Sequence, residues 1–238
     1  RSSAASDVYK RQPVFREYLQ GKFKAESWHW QKNAYMRAAK WELHEENYGY
    51  ALTLALKGKA YPTALRIISE GGLSVLYKHS PQELRQILRN ATPVERARNF
   101  NACALILLAI NLIASQQDAR EERDILMINL PADWEPSSEE NARFLFLEAL
   151  DSLPDSGMVE ADLRKLLSFC KENEVKLPRD YFQGIFRGVV GQLGFYYRRS
   201  GTLLENVHTL QSIYDICGLI IKDCDGRLWH SSAEAELN

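Results

Sequence analysis

Residues 48–70 read as two short apolar stretches set back to back, "YGYALTLALK" and "AYPTALRIISE", with only a Gly-Lys step between them. The first puts Ala51, Leu52, Ala55 and Leu56 on one helical stripe, and the second does the same with Ala60, Ala64, Leu65 and Ile68. Pro62 falls in the first turn of the second stretch, where its missing N–H costs little. Gly71 and Gly72 close that helix. Helices of about ten residues are not stable alone in water. Their small alanines allow close approach of helix axes. The pair is therefore expected to be antiparallel hairpin partners that bury their apolar stripes only against neighbours.

The same pattern fills the rest of the chain. Period-2 alternation of β-branched residues is nearly absent, which argues against strands. A short helix is expected over 13–23, with Phe15, Tyr18 and Leu19 on one side. A longer one runs from the "AES" at 25–27 through Glu46, with Asn47 and Gly49 as left-handed cap residues. Further helices are expected over 80–90, 92–116, 118–131, 137–154, 158–173, 179–201 and 202–226. Ser80 with Glu83, and Thr92 with Glu95, have the spacing of capping boxes. Consecutive amphipathic helices joined by short loops form antiparallel hairpins. Stacked hairpins form an α-solenoid, each repeat burying its face on the next. The helix starts are unevenly spaced, so the expected fold is all-α: a degenerate tetratricopeptide-like solenoid, with an irregular compact bundle as the alternative.

Charge narrows the function classes. The formal net charge is -1, so no global field favours nucleic acid or an anionic membrane. It is unevenly spread: residues 13–100 carry 14 Lys and Arg against 8 Asp and Glu, and residues 101–178 carry 7 against 15. This reads either as solvated faces that happen to differ or as a polar contact between the two parts or with a partner. Four scattered cysteines (Cys103, Cys170, Cys217 and Cys224) form no CxxC pair. They fit free thiols in a reducing cytosol, hence a cytoplasmic location. The apolar run 102–114 is shorter than the ~20 residues of a membrane span and reads as a buried core helix.

Residues that could carry chemistry do not converge. GxxxxGK[ST], GxGxxG, GxSxG and HExxH are all missing. His29, His44, His79, His208 and His230 are isolated. His29 reads as an edge-of-core residue, and His44 as a helix-end residue favoured by the dipole. The carboxylates at 121–122 and 139–140 lie outside apolar surroundings, and "DCDGR" at 223–227 lacks the later ligands of a calcium loop. Basic residues over 22–40 interleave with Trp28, Trp30 and Trp41, a pattern that can stack bases. At helical spacing, however, the tryptophans are expected in the core. Gly184-xxx-Gly188 and Gly191-xx-Gly194 read as close helix packing that offsets the glycine cost of ~1 kcal/mol each. No catalytic, cofactor-binding or metal-ligating residue is picked out, and effector-binding residues stay unassigned.

Within residues 15–72 the chain resembles the LuxR/MalT-type bacterial transcription regulators, large ATP-dependent signal-transduction ATPases. The matching positions are Phe15, Arg16, Tyr18 and Leu19, then Tyr35, Arg37, Ala38, Ala39 and Trp41. They continue through Ala51, Leu54, Ala55, Leu56 and Gly58 to Tyr61, Ala64, Leu65 and Ile68. Asn47-Tyr48 replaces the usual plain glycine turn. The resemblance implies that residues 13–25 end a winged-helix segment, 26–80 are linker helices, and 81–238 belong to a tetratricopeptide-like sensor superhelix. Residues 1–12 resemble a translated sequencing adapter and are set apart from the fold. By resemblance the parent protein uses ATP and reads DNA through domains outside this chain. This region would bind a small-molecule effector or regulatory protein, self-associate, and carry no cofactor or catalysis of its own. A generic helical-repeat scaffold unrelated to transcription is the main rival; an all-helical enzyme and a direct nucleic-acid binder are further ones.

Overall fold

The computed structural model describes residues 17–153, 155–178, 180–181 and 188–220. Among them there is no strand, and helices follow one another through short turns. The chain divides into two compact units, residues 1–67 and 68–238. The division falls inside the helix Tyr61–Gly71.

In the first unit, α1 (17–25) precedes α2 (Trp28–His44), α3 (Tyr48–Lys57) and the start of α4 (Tyr61–Gly71). Ser27 caps α2 by accepting from the Trp30 N–H at 3.3 Å. The Phe23 ring meets Trp30 and Tyr35 edge-on, with centroids at 5.6 and 5.0 Å. The left-handed residue after α2 is Glu46 (φ 57), not Asn47 or Gly49; Asn47 has φ -86 and Gly49 lies within α3. The turn can use Glu46 because Asn47 pins it, donating its N–H to the Glu42 carbonyl and its Nδ2–H to the Glu42 carboxylate at 2.8 Å. The densest contact of this unit is α2 on α3. Small residues contribute to it: Ala39, Ala51 and Ala55 are fully buried, as is Leu52. A Cβ on Gly58 would sit 3.0 Å from the Tyr35 Cβ, so glycine at the end of α3 lets Tyr35 pack closely. Lys59 (φ 49) makes the left-handed step that starts the next helix.

Helix α4 buries Ala64, Leu65, Ile67 and Ile68 completely. Each Leu or Ile contributes about 1.5–3 kcal/mol relative to exposure. Gly72 (φ 71) turns the chain into a 3₁₀ helix, Leu73–Lys78, that the sequence reading did not anticipate. The second unit continues with α5 (Pro81–Asn90), α6 (Pro93–Arg98), α7 (Phe100–Ile113), α8 (Gln116–Ile128), α9 (Ser138–Asp151) and α10 (Ser156–Glu172). A π turn at 188–190 leads to α11 (Gly191–Ser200), and α12 (Val207–Ile220) follows. Both expected capping boxes form, and Ser137 with Glu140 makes a third on α9.

The single helix expected over 92–116 is two helices. Asn99 (φ -121) breaks them apart, its side chain donating to the Glu95 carbonyl at 2.8 Å alongside its own backbone N–H. Helix α7 is buried almost all round, Phe100 through Asn111 apart from Asn101. It is the core helix that its apolar run implies. Close contacts join α5 to α7, α7 to α8 and α9, α8 to α9, α9 to α10, and α10 to α12. Contacts between a helix and its next and next-but-one neighbours are the signature of stacked hairpins. At Gly188 an added Cβ would lie 2.8 Å from Leu150 Cδ2, in line with the close-packing reading; Gly184 lies outside the described residues. No helix among the described residues is long and apolar enough to cross a membrane.

Candidate functional site

The histidines stay apart. His29 is exposed, not at a core edge, and pairs with Asn33 at 3.1 Å. His44 is the last residue of α2, and His208 is exposed near the start of α12. His79 is the buried one; it ends the 3₁₀ helix, its Nε2 has no partner, and burial lowers its pKa. Cys103, Cys170 and Cys217 are buried free thiols. Burial pushes Cys103 up to about 12 and raises the other two. Cys224, His230 and the 223–225 carboxylates lie outside the described residues. Among the described residues no three His, Cys, Asp or Glu side chains gather as a metal-binding group.

The uneven charge resolves into a polar seam within the second unit. Arg85 and Arg89, one turn apart on α5, face Asp118 and Glu122, one turn apart on α8. Arg85 pairs with Asp118 and Arg89 with Glu122, and the Arg85 Nε lies 3.5 Å from Glu122. Glu122 is only 2% exposed. Hydrogen bonds from Ser115 and then Arg85 hold the Asp118 carboxyl below its ordinary pKa. On α8, Arg123 pairs with Asp151, and Gln116 donates to the carbonyls of Leu150, Asp151 and Leu153, closing the end of α9. Each charged side chain in this seam is ion-paired, although the buried Arg85 Nε makes no hydrogen bond of its own, so the seam reads as an element of stability. The paired i, i+4 spacing of 85/89 and 118/122 was its sequence signal.

A second cluster is less complete. Arg143 and Phe146 are three residues apart on α9 and so share a face. The Tyr181 ring packs edge-on against Phe146, with centroids at 5.5 Å. Tyr181 is fully buried and its hydroxyl has no partner. The Arg143 Nη2 reaches the exposed Glu139 at 3.3 Å, but its Nε is buried and unpartnered. Burial raises the phenol pKa strongly; the Arg143 charge opposes the rise and Asp180 adds to it. Asp180, half-buried and itself raised by burial, accepts a hydrogen bond from the Leu73 N–H. A buried donor left unpaired costs about 1–3 kcal/mol. The phenol O–H and guanidinium N–H are two such donors, suited to an oxygen acceptor of an anionic group. Sequence reasoning missed them, because neither residue stands in a motif.

The tryptophans are not core residues. Trp28, Trp30 and Trp41 are 49%, 50% and 61% exposed. Only Ala39 of α2 is fully buried; residues such as Ala34, Tyr35, Ala38 and Leu43 are half-buried, and the side that carries Trp30, Arg37, Lys40 and Trp41 is exposed. No family model, curated protein or solved structure matches this chain.

Proposed function

We propose that this chain is the signal-sensing helical-repeat region of a LuxR/MalT-type transcription regulator. It binds an effector and relays that event to ATPase and DNA-binding domains that it does not itself contain. One observation carries the reading: residues that support the resemblance close the α2–α3 contact. Tyr35 lies against Gly58, and Ala39, Ala51 and Ala55 are fully buried. The pattern thus has a packing reason in this chain. The effector class that fits is a small anion with carboxylate or phosphate oxygens, taken up by the Arg143 and Tyr181 donors. Relay requires two states that the ligand binds unequally; a buried, incomplete polar cluster supplies a free-energy difference of that kind.

The test is the isolated chain. It is expected to show neither ATP hydrolysis nor affinity for duplex DNA, and its melting temperature should rise in a carboxylate and phosphate panel. Arg143→Met should abolish that rise. ATP hydrolysis or tight duplex binding by the chain alone refutes the assignment. A scaffold unrelated to transcription is the second reading. A GxxxxGK[ST] phosphate loop upstream in the same reading frame supports the regulator, and its absence from the full gene supports the scaffold.

A further inference from the structure

We propose that the outward face of α2 is a docking surface for an acidic amphipathic helix of a partner protein. At about 100° per residue, His29, Trp30, Arg37, Lys40, Trp41 and His44 fall within roughly one third of the helix circumference. All six are exposed, Trp30 and Trp41 by 50% and 61%. No carboxylate of α2 shares this face. The one acidic residue of α2, Glu42, lies on the other side and accepts from Asn47. Glu45 and Glu46 come only after the helix has ended. Arg37 and Lys40 make no ion pair among the described residues. Among the described residues Lys22 lies over Tyr18 and Lys59 over Trp28, while no cation covers Trp30 or Trp41.

Tryptophan and arginine are the residues that most often carry binding energy at protein interfaces. Here Trp30, Arg37 and Trp41 sit at i, i+7 and i+11 of one helix, the spacing at which a second helix running alongside meets the same face repeatedly. The cations determine the partner's sign, since anionic groups opposite Arg37 and Lys40 complement this face, and on a partner helix these are carboxylates. A second copy of the same face is excluded because its charges repel. A single nucleic-acid strand is the weaker fit, because such strands are held in grooves. A bilayer is also the weaker fit, because Arg37 interrupts the apolar stripe that insertion needs. The surface shares no residue with the Arg143–Tyr181 cluster, and the proposal does not depend on the effector reading.

The test measures binding of the full chain to three fluorescent probes: a synthetic helical peptide of roughly twenty residues with Leu at a and d and Glu elsewhere, an oligothymidine strand, and phosphatidylserine vesicles. The Leu–Glu peptide is expected to bind best, and about tenfold or more above its Lys-for-Glu counterpart. Raising salt should weaken it. Trp30→Ala with Trp41→Ala should reduce affinity about tenfold or more, as should Arg37→Glu with Lys40→Glu, whereas Arg37→Lys should retain most of it. These side chains are exposed, and an unchanged circular dichroism spectrum would show that the variants fold. Equal binding of the Lys peptide overturns the proposal. So does preferential binding of oligothymidine or vesicles, or peptide binding that survives both double variants.

Discussion

Replacing Glu122 with alanine tests the seam that joins α5 to α8. The side chain is 2% exposed and takes two hydrogen bonds from Arg89, with the Arg85 Nε at 3.5 Å. Hydrogen bonds to charged groups contribute about 1.5–3 kcal/mol each. The Arg89 share must be discounted, because its side chain is 56% exposed and returns to water on truncation. Arg85, at 28%, recovers less. Lost burial of the glutamate stem adds about 0.8 kcal/mol per methylene, and the better helix propensity of alanine returns a few tenths. The net cost is about 3 kcal/mol, with Glu122→Gln at roughly 1–2 kcal/mol. For a unit of this size that lowers the melting temperature by about 6–12 °C. The assay is urea unfolding followed by circular dichroism, with an Arg89→Met variant completing a double-mutant cycle. A loss under about 0.5 kcal/mol, or no coupling between the two sites, would refute the reasoning.

Other perturbations follow from the same geometry. Tyr181→Phe removes a buried hydroxyl without a partner, so stability should hold or rise by up to about 1 kcal/mol while any anion-induced stabilisation weakens; a clear destabilisation would show that the hydroxyl is satisfied. Gly72→Ala places a Cβ 2.5 Å from Asp180 Oδ2 at φ 71 and should cost at least about 2 kcal/mol in urea unfolding. The His79 pKa is lowered by burial, so the neutral ring favours the folded state. That contribution is complete above the ordinary histidine value and is lost as pH falls through it toward the folded value. Between pH 7 and 5 the wild type should therefore lose more stability than His79→Gln, and parallel profiles would contradict the burial of a neutral ring.

Much of this architecture was legible because helix boundaries are local chemistry. Ser80 with Glu83, Thr92 with Glu95, and the glycine closing α4 are short-range signals that do not depend on the rest of the fold. The break at Asn99 was not legible, because an asparagine continues or caps a helix according to which carbonyl its side chain reaches. The 3₁₀ helix Leu73–Lys78 is apolar with no helical period long enough to register. The tryptophans misled for a different reason. Periodicity shows which residues share a face but not which face a neighbour covers, and α3 covers α2 through Ala39 and Tyr35 rather than through its tryptophans. The seam was half visible as unequal charge, and only the pairing of α5 with α8 turned two i, i+4 pairs into contacts. The Arg143–Tyr181 cluster needs two positions 38 residues apart to meet on one helix face, which no local pattern announces.

Circular dichroism of a synthetic peptide spanning residues 48–71, set beside the intact chain, tests most directly whether these helices owe their structure to their neighbours. The prediction is a peptide that is about one-fifth helical or less in water at 25 °C, against a strongly helical intact chain. A peptide more than about half helical on its own would contradict it, because the alanine-rich segments would then need no stacked partner.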